Sequence, residues 1–175
     1  MKSLKTFFSV LLIGLLLQSC SLQSSQLSSL MLAIKKPPNE LQNFSWTLSY
    51  GTYSAQVYLV SSSAGAVFLN DYGDRLLFDG WSLREINGLG VNRANWKVID
   101  SKKSRQFIRG KSLTRVDLCS AWDSAKVDNM IRYTQECKNF VSYKNSILID
   151  ENGYMILLRQ RVDGTDTFLT LSKDK

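Results

Sequence analysis

The chain has 175 residues, 44% of them apolar, and a formal net charge of +7. That length fits one domain plus a targeting segment, and that apolar content excludes disorder along the whole chain. It contains no histidine, which excludes Ser-His-Asp and Cys-His catalysis in their usual forms and His-ligated metal sites.

Residues 1–19 read as a signal peptide. Lys2 and Lys5 form a positive n-region, and Phe7 to Leu17 is an apolar run. The run is too short for a transmembrane helix of about 20 residues and has the length of a secretory h-region. Leu17-Gln18-Ser19-Cys20 resembles the bacterial lipobox, so Cys20 is the expected lipidation site. Three acyl chains there would anchor the protein firmly, since each buried methylene contributes about 0.8 kcal/mol. Ser21 rather than Asp follows the cysteine, which implies the outer membrane in a Gram-negative cell. Without Lys2 and Lys5, 20 basic residues face 15 acidic ones, a net +5. That surplus favours anionic partners, and the compartment disfavours nucleic acid.

Residues 20–43 read as a lipidated tether rich in Ser and Gln. Leu27, Leu30, Met31 and Ile34 have helical spacing, and Pro37-Pro38 would end the helix. A short amphipathic helix and a plain linker are both compatible with this stretch.

From Phe44 the pattern changes to period two, and 44–175 is expected to be a single β-rich domain. Phe44, Trp46, Leu48 and Tyr50 share a face, and Ala55, Val57 and Leu59 repeat the pattern. Short apolar runs follow, separated by turn signals at 71–74 (DYGD), Asp79-Gly80, Asn87-Gly88, Asn152-Gly153 and Asp163-Gly164. The expected fold is all-β: an antiparallel meander curled into a barrel-like sandwich. A second helix is a candidate near 121–131, where Ala121, Ala125, Val127, Met130 and Ile131 can share a face.

Cys119 and Cys137 remain once Cys20 is assigned to lipid. In an oxidising envelope they are expected to form a disulfide, with buried free thiols as the alternative. Two thiolates without histidine do not make a metal set, and no cofactor is expected. DYGD and DGTD (163–166) each place two aspartates three apart. A Ca²⁺ site or a glycan-cleaving carboxylate pair would use such residues, but Asp and Gly are also what tight turns need, and that is the preferred reading. Ser172 to Lys175 is the only Ser-x-x-Lys and sits at the terminus. No Gly-rich phosphate loop is present. Arg93, Lys97, Lys102, Lys103, Arg105 and Arg109 crowd one segment with the single acid Asp100. On strands, several would collect on one face able to attract an anionic polysaccharide; a solvated face that discourages edge pairing is the alternative.

The order of these features resembles the lipoproteins encoded with group 4 capsule and related exopolysaccharide export systems. The likeness lies in the lipobox and tether, in Tyr53-Ser54-Ala55-x-Val57-Tyr58-Leu59, in Asp79-Gly80 with Leu83 and then Gly88-Leu89, and in Tyr143-x-Asn145, Asp150, Gly153 and Gln160. Thr52 stands where that family has proline, and the chain ends LSKDK rather than with Leu-Lys-Pro. The resemblance implies a β-meander folded on itself as a barrel-like sandwich. It also implies a non-enzymatic accessory role in assembling or exporting a surface polysaccharide, from a lipid anchor facing the periplasm, through glycan or export-machinery partners. It supplies no catalytic residues. Two other classes make different demands. A lipid or lipoprotein carrier needs an apolar lumen and an exposed apolar loop, for which Leu89 is the nearest candidate. A glycan-cleaving enzyme needs two carboxylates converging at about 5–9.5 Å.

Overall fold

The computed structural model describes residues 45–62, 65–90, 94–101 and 103–174. Cys20, the helix expected in the tether, Arg93 and Lys102 lie outside these. The described chain is all-β. Its strands are β1 (Ser45–Tyr50), β2 (Tyr53–Ser62), β3 (Gly65–Leu69), β4 (Arg75–Phe78), β5 (Leu83–Gly88), β6 (Ala94–Asp100) and β7 (Ser104–Arg109). They continue with β8 (Ser112–Cys119), β9 (Asp123–Val127), β10 (Met130–Lys138), β11 (Ser142–Ile149), β12 (Met155–Arg161) and β13 (Phe168–Lys173).

Period two decides which side chains face inward. In β11, Tyr143, Asn145, Ile147 and Ile149 are buried while Ser142 and Lys144 are exposed. Turns between strands are closed by short polar side chains. Asn70 Oδ1 accepts the amides of Tyr72 and Asp74, Asp79 Oδ1 those of Trp81 and Ser82, and Asp150 Oδ1 those of Asn152 and Tyr154. Gly88, at φ +97°, allows a close approach: a Cβ there would sit 2.4 Å from Asp74 Oδ1.

Sequential strands pair antiparallel, so the chain is a meander. β13 returns beside β1, with Trp46 opposite Lys173. β10 pairs with both β8 and β11, which closes twelve strands into a barrel. β9 lies outside that ring and pairs only with β10. The closing seam is narrow: β8 meets β10 only at Cys119↔Cys137 and Leu118↔Lys138. The expected disulfide is formed there, with an S–S distance of 2.04 Å.

The interior is filled. Trp46, Leu48, Val57, Phe68, Leu76, Phe78, Leu83, Ile86, Phe107, Leu158, Leu169 and Leu171 form one buried cluster. A round barrel of twelve strands would leave a wider lumen than eight strands, which side chains just fill. Here opposite walls touch: Gln160 of β12 accepts the Leu83 amide of β5 at 3.1 Å. The ring is therefore pressed flat into a sandwich. Its apolar side chains point in and polar ones such as Thr47, Gln56 and Lys97 point out, the reverse of a membrane-spanning barrel.

The segment 121–131 is not helical. It forms the whole of β9, a turn at Asp128-Asn129 where Asp128 takes φ 54°, and the start of β10. Val127 faces Met130 in register. A helix would leave the Met130–Thr134 edge of β10 without a backbone partner, whereas β9 supplies one.

The seam leads to a stability prediction. Oxidised, denatured protein should offer no alkylatable thiol at positions 119 and 137. Replacing both by serine should cost about 3 kcal/mol for the 18-residue separation, read as a shift in the denaturant midpoint. A loss well under about 1 kcal/mol would show that backbone pairing alone holds the seam.

Candidate functional site

The basic segment does not form one face. Lys97 points outward from the middle of β6, with Glu85 of β5 and Ile108 of β7 beside it in register. Glu85 also pairs with Arg75 at 3.5 Å. Lys103 lies in the β6–β7 turn and Arg109 at the far end of β7, about 20 Å away at a strand's rise per residue. The Arg109 guanidinium sits 5.3 Å from the Trp96 ring. Arg105 departs from the expectation altogether: it points into the barrel and is fully buried. It has the parity of Phe107, two residues on, and that parity was the signal available in the sequence.

Inside, Arg105 ties the walls together. Its Nη1 donates to Asp100 Oδ2 at 2.9 Å and to Ser82 Oγ at 3.3 Å. Its Nη2 donates to Gln160 Oε1 and to the Arg161 carbonyl, both at 3.0 Å. Gln160 Nε2 donates in turn to the Trp81 carbonyl. Burial pulls the Arg105 pKa down and the Asp100 carboxylate opposes that, but a guanidinium remains charged in a protein. Arg105 Nε and Asp100 Oδ1 are buried without a partner.

A second buried cluster adjoins the seam. Asp117 accepts from Arg115 Nε at 2.5 Å, from the Tyr143 hydroxyl at 2.7 Å and from Asn139 Nδ2 at 3.2 Å. Burial and the bond to Asp117 both push the Tyr143 phenol upward in pKa. Asn145 donates to Gln135 Oε1 at 3.0 Å and accepts the Arg161 amide at 3.0 Å. The Arg161 guanidinium lies 4.0 Å from the Tyr143 ring and pairs with Asp166 at 3.0 Å. Several residues that carry the family resemblance thus have internal duties. Tyr143, Asn145 and Gln160 link strands within the barrel. The Leu89 amide donates to Asp74 at 2.7 Å, and Leu89 is buried rather than displayed on a loop.

The paired aspartates serve turns. Asp74 is buried and accepts from the Tyr53 hydroxyl and from Asn70 Nδ2 as well as from Leu89. Asp163 is buried and accepts from the Tyr50 hydroxyl and from Thr165. Asp71 and Asp166, their partners in the two turns, point to solvent. Neither turn presents two carboxylates to a common cleft. Among the described residues no group of three Asp, Glu or Cys side chains is arranged to hold a metal.

The surface feature that the sequence reading missed is the β10–β11 turn. Phe140 is 94% exposed and Val141 is more than half exposed. Beside them on β8 lie Leu118, 71% exposed, and Val116. Asn139 Nδ2 fixes the turn to β8 through the Val116 carbonyl at 3.1 Å. Lys138 stands opposite Leu118 in register, and Lys144 pairs with Glu136 at 2.6 Å. In the sequence, Phe140 and Val141 read as the start of a strand, FVSY. The strand begins only at Ser142, which leaves the two apolar residues in the turn.

Two predictions separate interior from surface. Arg105→Leu strands Asp100 and should cost about 3–5 kcal/mol in denaturant unfolding, while Lys97→Ala should stay within about 0.5 kcal/mol. Equal effects would contradict the inward placement of Arg105. Desolvation, with help from Asp163 and Asp74, raises Tyr50 and Tyr53 from 10.0 to about 12. The neutral phenols are favoured in the fold, so their stabilisation is complete below about pH 10 and is lost as pH rises from there through about 12. Thermal melts of the Tyr50→Phe/Tyr53→Phe variant should fall less steeply over that window than those of the parent.

No protein-family model matches the chain, and neither does any curated protein or solved structure.

Proposed function

We propose that this protein is a bacterial lipoprotein, anchored by acyl chains on Cys20 to the periplasmic side of the outer membrane. There it serves, without catalysis, as an accessory factor in the assembly or export of a surface polysaccharide. The observation that carries the accessory part is the filled barrel. Phe68, Phe78, Phe107 and Arg105 occupy the space where a carrier would hold an acyl chain, and the opposite walls are joined across it by Gln160. Among the described residues that space is taken by side chains, which favours action through the outer surface. A hydrolytic reading is weakened in the same way, because Asp74 and Asp163 spend their oxygens on turn donors.

The anchor reading draws on Lys2, Lys5, the Phe7 to Leu17 run and Leu17-Gln18-Ser19-Cys20. The polysaccharide reading draws on the family resemblance and on the basic surplus. Lys97, Lys103 and Arg109 are exposed cations, but they are spread out, which suits weak multivalent contact with a long anionic glycan better than a defined pocket.

Two measurements test this function. Cys20→Ser should move the protein from the carbonate-washed membrane pellet to the soluble fraction; persistent pelleting would sink the anchor. Deleting the gene should lower cell-surface polysaccharide while leaving its intracellular precursor, with recovery by the parent chain but not by Cys20→Ser. Unchanged surface polysaccharide would remove the export role.

A further inference from the structure

We propose that the β10–β11 turn is a membrane-docking element: Phe140 and Val141, with Leu118 beside them, enter the surface of an anionic bilayer. The inference rests on the lipid-anchored reading for the protein's nearness to a membrane. Its own evidence is the shape and chemistry of the turn.

Phe140 is almost wholly exposed, and Val141 and Leu118 expose more than half their surface. An aromatic residue next to an aliphatic one at the tip of a turn is costly to keep in water, and among the described residues none covers either side chain. Their flanks are cationic. Lys138 precedes the turn, Lys144 follows it, and Lys103 reaches the same seam, where its carbonyl accepts the Cys119 amide at 3.0 Å. Glu136 offsets one of these charges by pairing with Lys144, which leaves the neighbourhood positive. Apolar tips ringed by lysines are the pattern of interfacial binding: the tips enter the acyl boundary while the ammonium groups stay among anionic headgroups.

The turn is also built to bear load. The disulfide fixes Cys137 immediately upstream, the Tyr143 hydroxyl binds buried Asp117 immediately downstream, and Asn139 binds the β8 backbone within it. Phe140 and Val141 are thus presented by a rigid frame, which reduces the ordering cost of docking. Geometry permits the approach. Between Cys20 and β1 lie 24 residues, which can extend to about 80 Å, against a radius of gyration of about 14 Å for a domain of this size. Any face can therefore reach the bilayer, and the turn would choose which one does.

The test uses the full mature chain carrying Cys20→Ser, so that no acyl group contributes and the outcome does not depend on lipidation. Co-sedimentation with vesicles of phosphatidylethanolamine and phosphatidylglycerol should show binding that weakens with salt and is much weaker for phosphatidylcholine vesicles. Phe140→Ser/Val141→Ser should lower the partition constant by about tenfold or more. Tyr72→Ser, which alters another highly exposed aromatic on a different turn, should leave it unchanged. Near-ultraviolet circular dichroism checks that both variants remain folded. Absence of vesicle binding by the parent chain, or equal binding by the Phe140/Val141 variant, overturns the proposal. Loss of a periplasmic protein partner in that variant without any vesicle binding would also overturn it, in favour of protein docking.

Discussion

A ring of strands is closed only where its two ends find backbone partners, and here that condition falls on β10. One edge of β10 is paired along its length with β11. The other is shared between β9 and the last two residues of β8. Apart from β13–β1, the remaining pairings follow chain order and form locally. The β13–β1 pairing, which joins the ends of the domain, and the β8–β10 seam are the steps that turn a long meander into a closed object. The first has five register pairs and the second has two, so the covalent bond falls where hydrogen bonding is weakest. A disulfide placed there removes from the unfolded ensemble the states in which β10 and its hairpin drift away from β8.

Closure alone would leave a lumen, and the interior chemistry of the described residues shows what fills it. Apolar side chains fill most of the flattened ring. Toward the seam the filling becomes polar: Arg105, Asp100, Ser82 and Gln160 in one group, Asp117, Arg115 and Tyr143 in another. Buried charges of this kind add little net stability over a well-packed apolar core, because desolvation opposes the Coulomb gain. They are geometrically demanding instead. Arg105 is satisfied only when β5, β6, β7 and β12 stand in one register, so the group disfavours slipped pairings that apolar packing alone would tolerate. Tyr143 and Gln160, two of the residues that carry the resemblance to the capsule-associated lipoproteins, belong to these groups, which gives their positions a structural rationale that is independent of any ligand.

Most of the fold was legible because period two is a direct consequence of strand geometry. SWTLSY, the Asn152-Gly153 turn and the Asp163-Gly164 turn all stand where the pattern put them, and Cys119 and Cys137 are bonded. The misreadings share a cause. In 121–131 the apolar spacing fits a helix, but the Asp128-Asn129 turn interrupts two short alternating runs and resets their phase. Charge groups Arg105 with its basic neighbours, whereas its parity with Phe107 places it inside. Phe140 and Val141 directly precede β11 in the sequence, and no turn signal stands between them and it. Only tertiary pairing, which starts β11 at Ser142, separates them from it. Site residues were therefore less legible than the fold: parity and turn boundaries, each a matter of one or two residues, decide whether a charge is a surface ligand or a core tie.

A filled interior has a consequence for how such a protein works. With the described core packed by side chains, selectivity would come from the outer surface, where each contact is weak and partly screened by salt. Weak surface contacts become effective when the partner is long and repetitive or when the protein is held near it, because tethering raises the effective concentration of every later contact. The proposed lipid anchor and the proposed docking turn would meet that need together. In the proposed arrangement the anchor would confine the domain to the membrane, the turn would fix which way it faces, and scattered cations such as Lys97 and Arg109 would be left to meet an anionic polymer passing beside it. In that arrangement the orientation of the barrel, rather than any single pocket, determines which residues are presented to the partner.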